Sequence, residues 1–136
     1  FPYFQAIESD RNQAFVERYR KYVGDKDAVT QHALECSYFQ VYLWKQAVEA
    51  AGEASPQAIR EGIKGQEFAA PNGDVKIDPQ NLHCYLTPRI AQWKGDGQGE
   101  IVDAYDAPAR PLPYVAYGES SDNLFCTESG LDTAKL

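Results

Sequence analysis

With 136 residues, 43% of them hydrophobic and 24% charged, the chain has the length of one ordinary globular domain and enough apolar surface to bury about two-thirds of what the unfolded chain exposes. Its formal charge of −7 repels polyanions at long range, which argues against nucleic acid or an anionic membrane as the main partner. No stretch reaches the roughly 18 consecutive apolar residues of a membrane span, so membrane insertion is not expected.

The opening Phe1-Pro2-Tyr3 has neither the basic flank nor the apolar run of a signal peptide. The chain contains no methionine, and is expected to begin inside a longer gene product, as a fragment or a processed segment. Ser9 then precedes a polar turn, after which Phe15, Val16, Tyr19, Tyr22 and Val23 recur at helical spacing. This predicts an amphipathic helix over 9–23, with Ser9 as N-cap and Gly24 as the left-handed stop. Arg11, Glu17, Arg18, Arg20 and Lys21 fall on its polar side and read as a solvated face.

A second helix is predicted over 31–51, terminated by Gly52. Leu34, Tyr38, Val41, Leu43, Trp44, Ala47 and Val48 do not share one face, so this helix is expected to be covered on at least two sides. Ser55-Pro56 is an N-cap followed by proline at the first helical position, and starts a short third helix ending by Gly65. Gln66–Ala70 and Asp74–Asp78 flank the turn Pro71-Asn72-Gly73 and read as a hairpin.

After the turn Asp78-Pro79-Gln80-Asn81, His83–Trp93 favours extended structure, except that Pro88 removes a ladder donor. It therefore marks an edge, a bulge or a strand that switches sheets. Lys94–Gly99 turns the chain back into Glu100-Ile101-Val102; a proline-punctuated run and a polar tail from 119 to 136 follow. Helices this apolar usually cover a parallel sheet with continuous Val/Ile/Leu strands, and no such strand is present. The sheet is expected elsewhere, in an upstream part of the same protein or in another copy of the chain.

Few residues invite chemistry. Gly95-Asp96-Gly97-Gln98-Gly99 lacks both the following helix and the Gly-Lys-Ser/Thr of phosphate loops, and reads as a hairpin tip. His32 and His83 are the only histidines, neither at a recognised ligand spacing from Asp, Glu or Cys, so no metal or other cofactor is expected. His83-Cys84 would be a base and nucleophile only if adjacent strand residues shared a face, and they do not. Three cysteines, Cys36, Cys84 and Cys126, are too few for a disulfide framework, and Cys36 reads as a small buried apolar residue. Glu35 sits in the first turn of the second helix, where it either only complements the helix dipole or faces a cleft.

Three segments in order, YFQAIESDRNQAFVERYRKYVG, SYFQVYLWKQAVEAAG and QEFAAPNGDVKIDPQNLHCYLTPRIAQWKGDGQGEIV followed by ARPLPY, resemble the C-terminal part of type I periplasmic binding proteins. Within that branched-chain amino acid receptor family they are most similar to the branch that binds urea and short-chain amides. The resemblance spans residues 1–118, and its most specific piece runs from Ala70-Pro71 through Pro88-Arg89-Ile90.

The implied fold is α/β: three helices, then short strands and hairpins, with the central parallel sheet largely missing. The implied role is the non-enzymatic substrate-binding component of an ABC transporter, a periplasmic receptor for urea, an amide or an amino acid that docks on a permease. Alternatives are a cytoplasmic amide-sensing regulator of the same fold, or a stand-alone α+β interaction domain. By position, Glu35-Cys36-Ser37-Tyr38 resembles the Glu-Ala-Ala-Tyr at the head of a family helix near the cleft, making His32, Leu34 and Glu35 candidate ligand-binding positions. Cys36 and Ser37 depart from the family's alanines, and His83-Cys84 from its usual polar pair.

Overall fold

The structure, a computed structural model, describes residues 1–95 and 99–111. The tip of the predicted glycine turn (96–98) and the tail beyond 111 lie outside the described residues. Three helices come first: α1 (Asp10–Val23), α2 (His32–Ala51) and α3 (Pro56–Gly62). The Ser9 side chain accepts from the Asn12 N–H and Gly24 closes α1 at φ 73°, as the cap residues predict. Gly52 closes α2 at the same φ of 73°, and Ser55 accepts from the Ala58 N–H ahead of Pro56. The third helix stops at Gly62, earlier than the Gly65 expected.

Five strands follow in two antiparallel sheets. β1 (Glu67–Ala70) and β2 (Gly73–Ile77) form the expected hairpin about Pro71-Asn72, and β3 (Cys84–Tyr85) adds to β2. β4 (Arg89–Trp93) pairs with β5 (Gly99–Ala104) through a bulge between Ile90 and Ala91. The stretch 83–93 is therefore two strands, broken at Leu86-Thr87-Pro88, with one piece in each sheet. Switching sheets is one of the outcomes a proline inside an extended run allows.

Two apolar clusters hold these elements together. Phe39, Leu43, Ala70, Val75 and Ile77 form one between α2 and the first sheet; Tyr3, Ile7, Phe15 and Val16 form the other under α1. Tyr38 packs against both, with ring centroids 4.8 Å from Phe15 and 5.0 Å from Tyr42. α3 lies so close to α2 that a β-carbon at Gly62 would sit 2.5 Å from the Ala47 carbonyl oxygen. Only glycine allows that approach.

Within the described residues α2 packs on the first sheet and on α3. Its buried residues, Glu35, Phe39, Leu43 and Ala47, fall four apart on one stripe, while Val41 and Trp44 stand 63% and 50% exposed. No parallel sheet occurs among the described residues.

Candidate functional site

The head of α2 brings together residues from four places in the chain. Glu35 is 0% exposed, and its carboxylate is held by the hairpin turn: the Asn72 N–H donates to Oε1 at 3.3 Å and Asn72 Nδ2 to Oε2 at 3.1 Å. Arg89, first residue of β4, ties the surrounding backbone together. Its Nη1 donates to the carbonyls of Pro2 at 2.6 Å and Thr87 at 3.1 Å, and its Nη2 to that of Asn72 at 2.7 Å. The chain start closes the cluster, because Phe1 and Arg89 exchange main-chain hydrogen bonds of 3.0 Å in both directions.

Burial pushes the Glu35 carboxyl up to about 7, against the opposing effects of the Asn72 hydrogen bonds and the Arg89 charge. Burial likewise pushes the Cys36 thiol up to about 11, helped by the Glu35 charge. A thiol so held stays protonated at neutral pH and is a poor nucleophile. The His32 imidazole is pushed down, first by burial and then by the Phe1 ammonium.

The Glu35 carboxyl links stability to pH. Its folded value exceeds its ordinary 4.5, so between these values the native state binds the extra proton and stability falls as pH rises. The contribution is complete below 4.5 and gone above about 7. A decline of up to about 3.5 kcal/mol across that window is expected from about 1.4 kcal/mol per pKa unit. Urea unfolding at a series of pH values in chelator-containing buffer checks it, and Glu35→Gln should flatten the profile.

Of the three candidate ligand-binding residues, His32 and Glu35 lie together at this cluster. Leu34 packs instead against Tyr3, Ile7, Phe15 and Val16 under α1. Glu35 matches neither simple expectation in full, since it is locked onto a turn 37 residues away. The expectation that neither histidine has partners at ligand spacing is also corrected: ligand atoms of His32, Glu35 and Cys36 lie within 4.8 Å of one another. Positions i, i+3 and i+4 share a helical face, a spacing the sequence carries openly.

Asn72 and Arg89 were missed. The one signal for them is that a carboxylate inside an apolar helix needs buried partners, and that the arginine follows the strand-breaking Pro88. His83 is exposed beside half-buried Cys84 and joins no constellation. A groove of about 490 Å³ lies elsewhere, lined by Phe68, Asp74, Lys76, Tyr85 and Pro108 among others, and includes none of the candidate residues.

A short antiparallel hairpin sheet under two packed helices, crossing at Pro88 into a second ribbon, defines part of a type I periplasmic-binding-protein fold. The family profile "Periplasmic binding protein domain" matches residues 1–120, and the chain belongs to that family. Among curated proteins it is 28% identical over 83 residues to "Leu/Ile/Val-binding protein homolog 6" of Brucella abortus, covering 61% of this chain and 21% of that protein.

Among solved structures, a solute-binding protein of an ABC transporter from Rhodopseudomonas palustris HaA2, in complex with p-hydroxybenzoic acid, superposes with a TM-score of 0.65 at 25% identity. That match covers 80% of this chain and 30% of the other. A solute-binding protein from R. palustris in complex with benzoate gives a TM-score of 0.70 at 19% identity over 85% of this chain and 31% of its own, and shows the fold alone. The chain thus spans about a fifth of the curated relatives it matches.

Proposed function

We propose that this chain is part of a two-lobe solute receptor of an ABC transporter, which binds its ligand without chemistry and presents the closed form to a permease in the periplasm. The observation that carries this reading is the family match over residues 1–120 on a fold with a built, buried polar cluster at the head of α2. Among the described residues no helix is long and apolar enough to cross a membrane. The ligand would work by population shift, contacting both lobes only in the closed state.

The solute we infer is small and carries a carboxyl or amide group. The residue pattern from Ala70-Pro71 to Pro88-Arg89-Ile90 favours urea or a short amide. The names of the relatives described above favour branched-chain amino acids or aromatic acids. A receptor carrying this chain should gain about 2.7 kcal/mol of stability at a ligand concentration 100 times its Kd. Thermal unfolding against urea, acetamide, leucine and benzoates distinguishes the three classes, and no shift with any of them would sink the receptor reading.

The exposed stripe of α2 and the β4–β5 ribbon, where Trp93 is 75% exposed, are read as surfaces that the rest of such a receptor, or a second copy of the chain, covers. Exposed apolar area of this kind drives association. The isolated chain is expected to self-associate in light scattering. A stable monomer would favour the stand-alone interaction domain instead.

A further inference from the structure

We propose that His32, Glu35 and Cys36 form a site for a divalent transition metal at the head of α2, with Zn²⁺ the ion whose ligand preferences they match. Imidazole nitrogen, thiolate sulfur and carboxylate oxygen are the three side-chain ligand types that zinc takes. Here they occupy positions i, i+3 and i+4 of one helix, with ligand atoms within 4.8 Å of one another. Bonds of about 2.3 Å to sulfur and about 2.05 Å to nitrogen, meeting at a tetrahedral angle, place the two atoms about 3.5 Å apart. Cys36 Sγ lies 3.5 Å from His32 Nδ1 and 3.6 Å from Nε2, so the sulfur is close enough but faces the ring, and a turn of the imidazole about its own bonds is needed to aim one nitrogen at a shared ion.

The surroundings of Glu35 point the same way. Metal-bound carboxylates are oriented by hydrogen bonds from outside, and both Glu35 oxygens already accept from Asn72. Independently, Asn72 is 1% exposed, and its Oδ1 is buried without a hydrogen-bond partner. A water in the fourth position of a three-ligand zinc site is a donor, and this carboxamide is an acceptor left over beside the carboxylate. His32 and Cys36 are only half-buried, which leaves a path for the ion.

Binding transfers the Cys36 proton, and the Glu35 proton where that carboxyl is protonated, to solvent, leaving thiolate, carboxylate and Zn²⁺ with charges that sum to zero. The buried Glu35 charge is thereby compensated. Arg89, the cation that acts on Glu35, opposes ion entry.

Cobalt titration of the full 136-residue chain under reducing conditions tests the site. One equivalent of Co²⁺ should give a thiolate-to-cobalt charge-transfer band and the intense visible bands of four-coordination, both abolished by added Zn²⁺. The C84S/C126S double variant should keep them, and Cys36→Ala, which leaves the half-buried position apolar, should lose the charge-transfer band while retaining its circular dichroism. His32→Gln and Glu35→Gln should each weaken zinc binding by roughly tenfold or more. No band with cobalt in large excess, a band that survives Cys36→Ala, or a band lost in C84S/C126S would each overturn the proposal.

Discussion

Replacing Phe39 with alanine is expected to destabilise the chain by about 3–5 kcal/mol, the usual cost of deleting a buried aromatic ring. Phe39 is 2% exposed at the centre of the cluster formed with Leu43, Ala70, Val75 and Ile77, so the lost ring leaves a cavity between α2 and the hairpin. The neighbours come from both layers, the helix and the hairpin. Urea denaturation measures the effect through the midpoint at unchanged slope. Phe39→Leu should lose much less, because it keeps most of the volume. A loss below about 1 kcal/mol for Phe39→Ala, within the range of surface changes, would mean that this cluster is not the core.

Arg89→Met should cost about 2–4 kcal/mol, for a different reason. The variant keeps the aliphatic stem but deletes donors to the carbonyls of Pro2, Thr87 and Asn72. Hydrogen bonds from a charged group contribute about 1.5–3 kcal/mol each, and part of that returns as water reaches the freed carbonyls. A second readout separates this role from simple packing. The Arg89 charge lowers the Glu35 carboxyl pKa, so the variant should raise it further, as seen by carboxyl chemical shifts against pH. An unchanged Glu35 titration would show that the guanidinium does not act on that carboxylate.

The helices were legible because their ends are written locally: Ser9, Gly24, Gly52 and Ser55-Pro56 each state a boundary within four residues of where it falls. The β1–β2 hairpin was legible for the same reason, through Pro71-Asn72-Gly73. The break of 83–93 into two sheets was visible only as three open options at Pro88, since which strands lie nearby is a property of the whole chain. At the cluster, Glu35 stood out by its place in the first turn of a helix, and His32 through the family resemblance. Asn72 and Arg89 did not, because their bonds to it span 37 residues or pass through main-chain carbonyls that carry no residue identity. The proximity of His32 to Cys36 was less visible because linear finger spacings do not describe it; a helix sets its own spacing.

The exchange of main-chain hydrogen bonds between Phe1 and Arg89 joins positions 88 residues apart, whereas the α2, α3 and hairpin contacts are made within a short contiguous stretch. Loop closure over such a span adds entropy cost before any contact repays it. The helix-and-hairpin unit is therefore expected to form early, and the clasp at the chain start to open first. In native-state hydrogen exchange the Arg89 amide should lose protection by a small local opening, with the Val75 and Ile77 amides exchanging only on global unfolding.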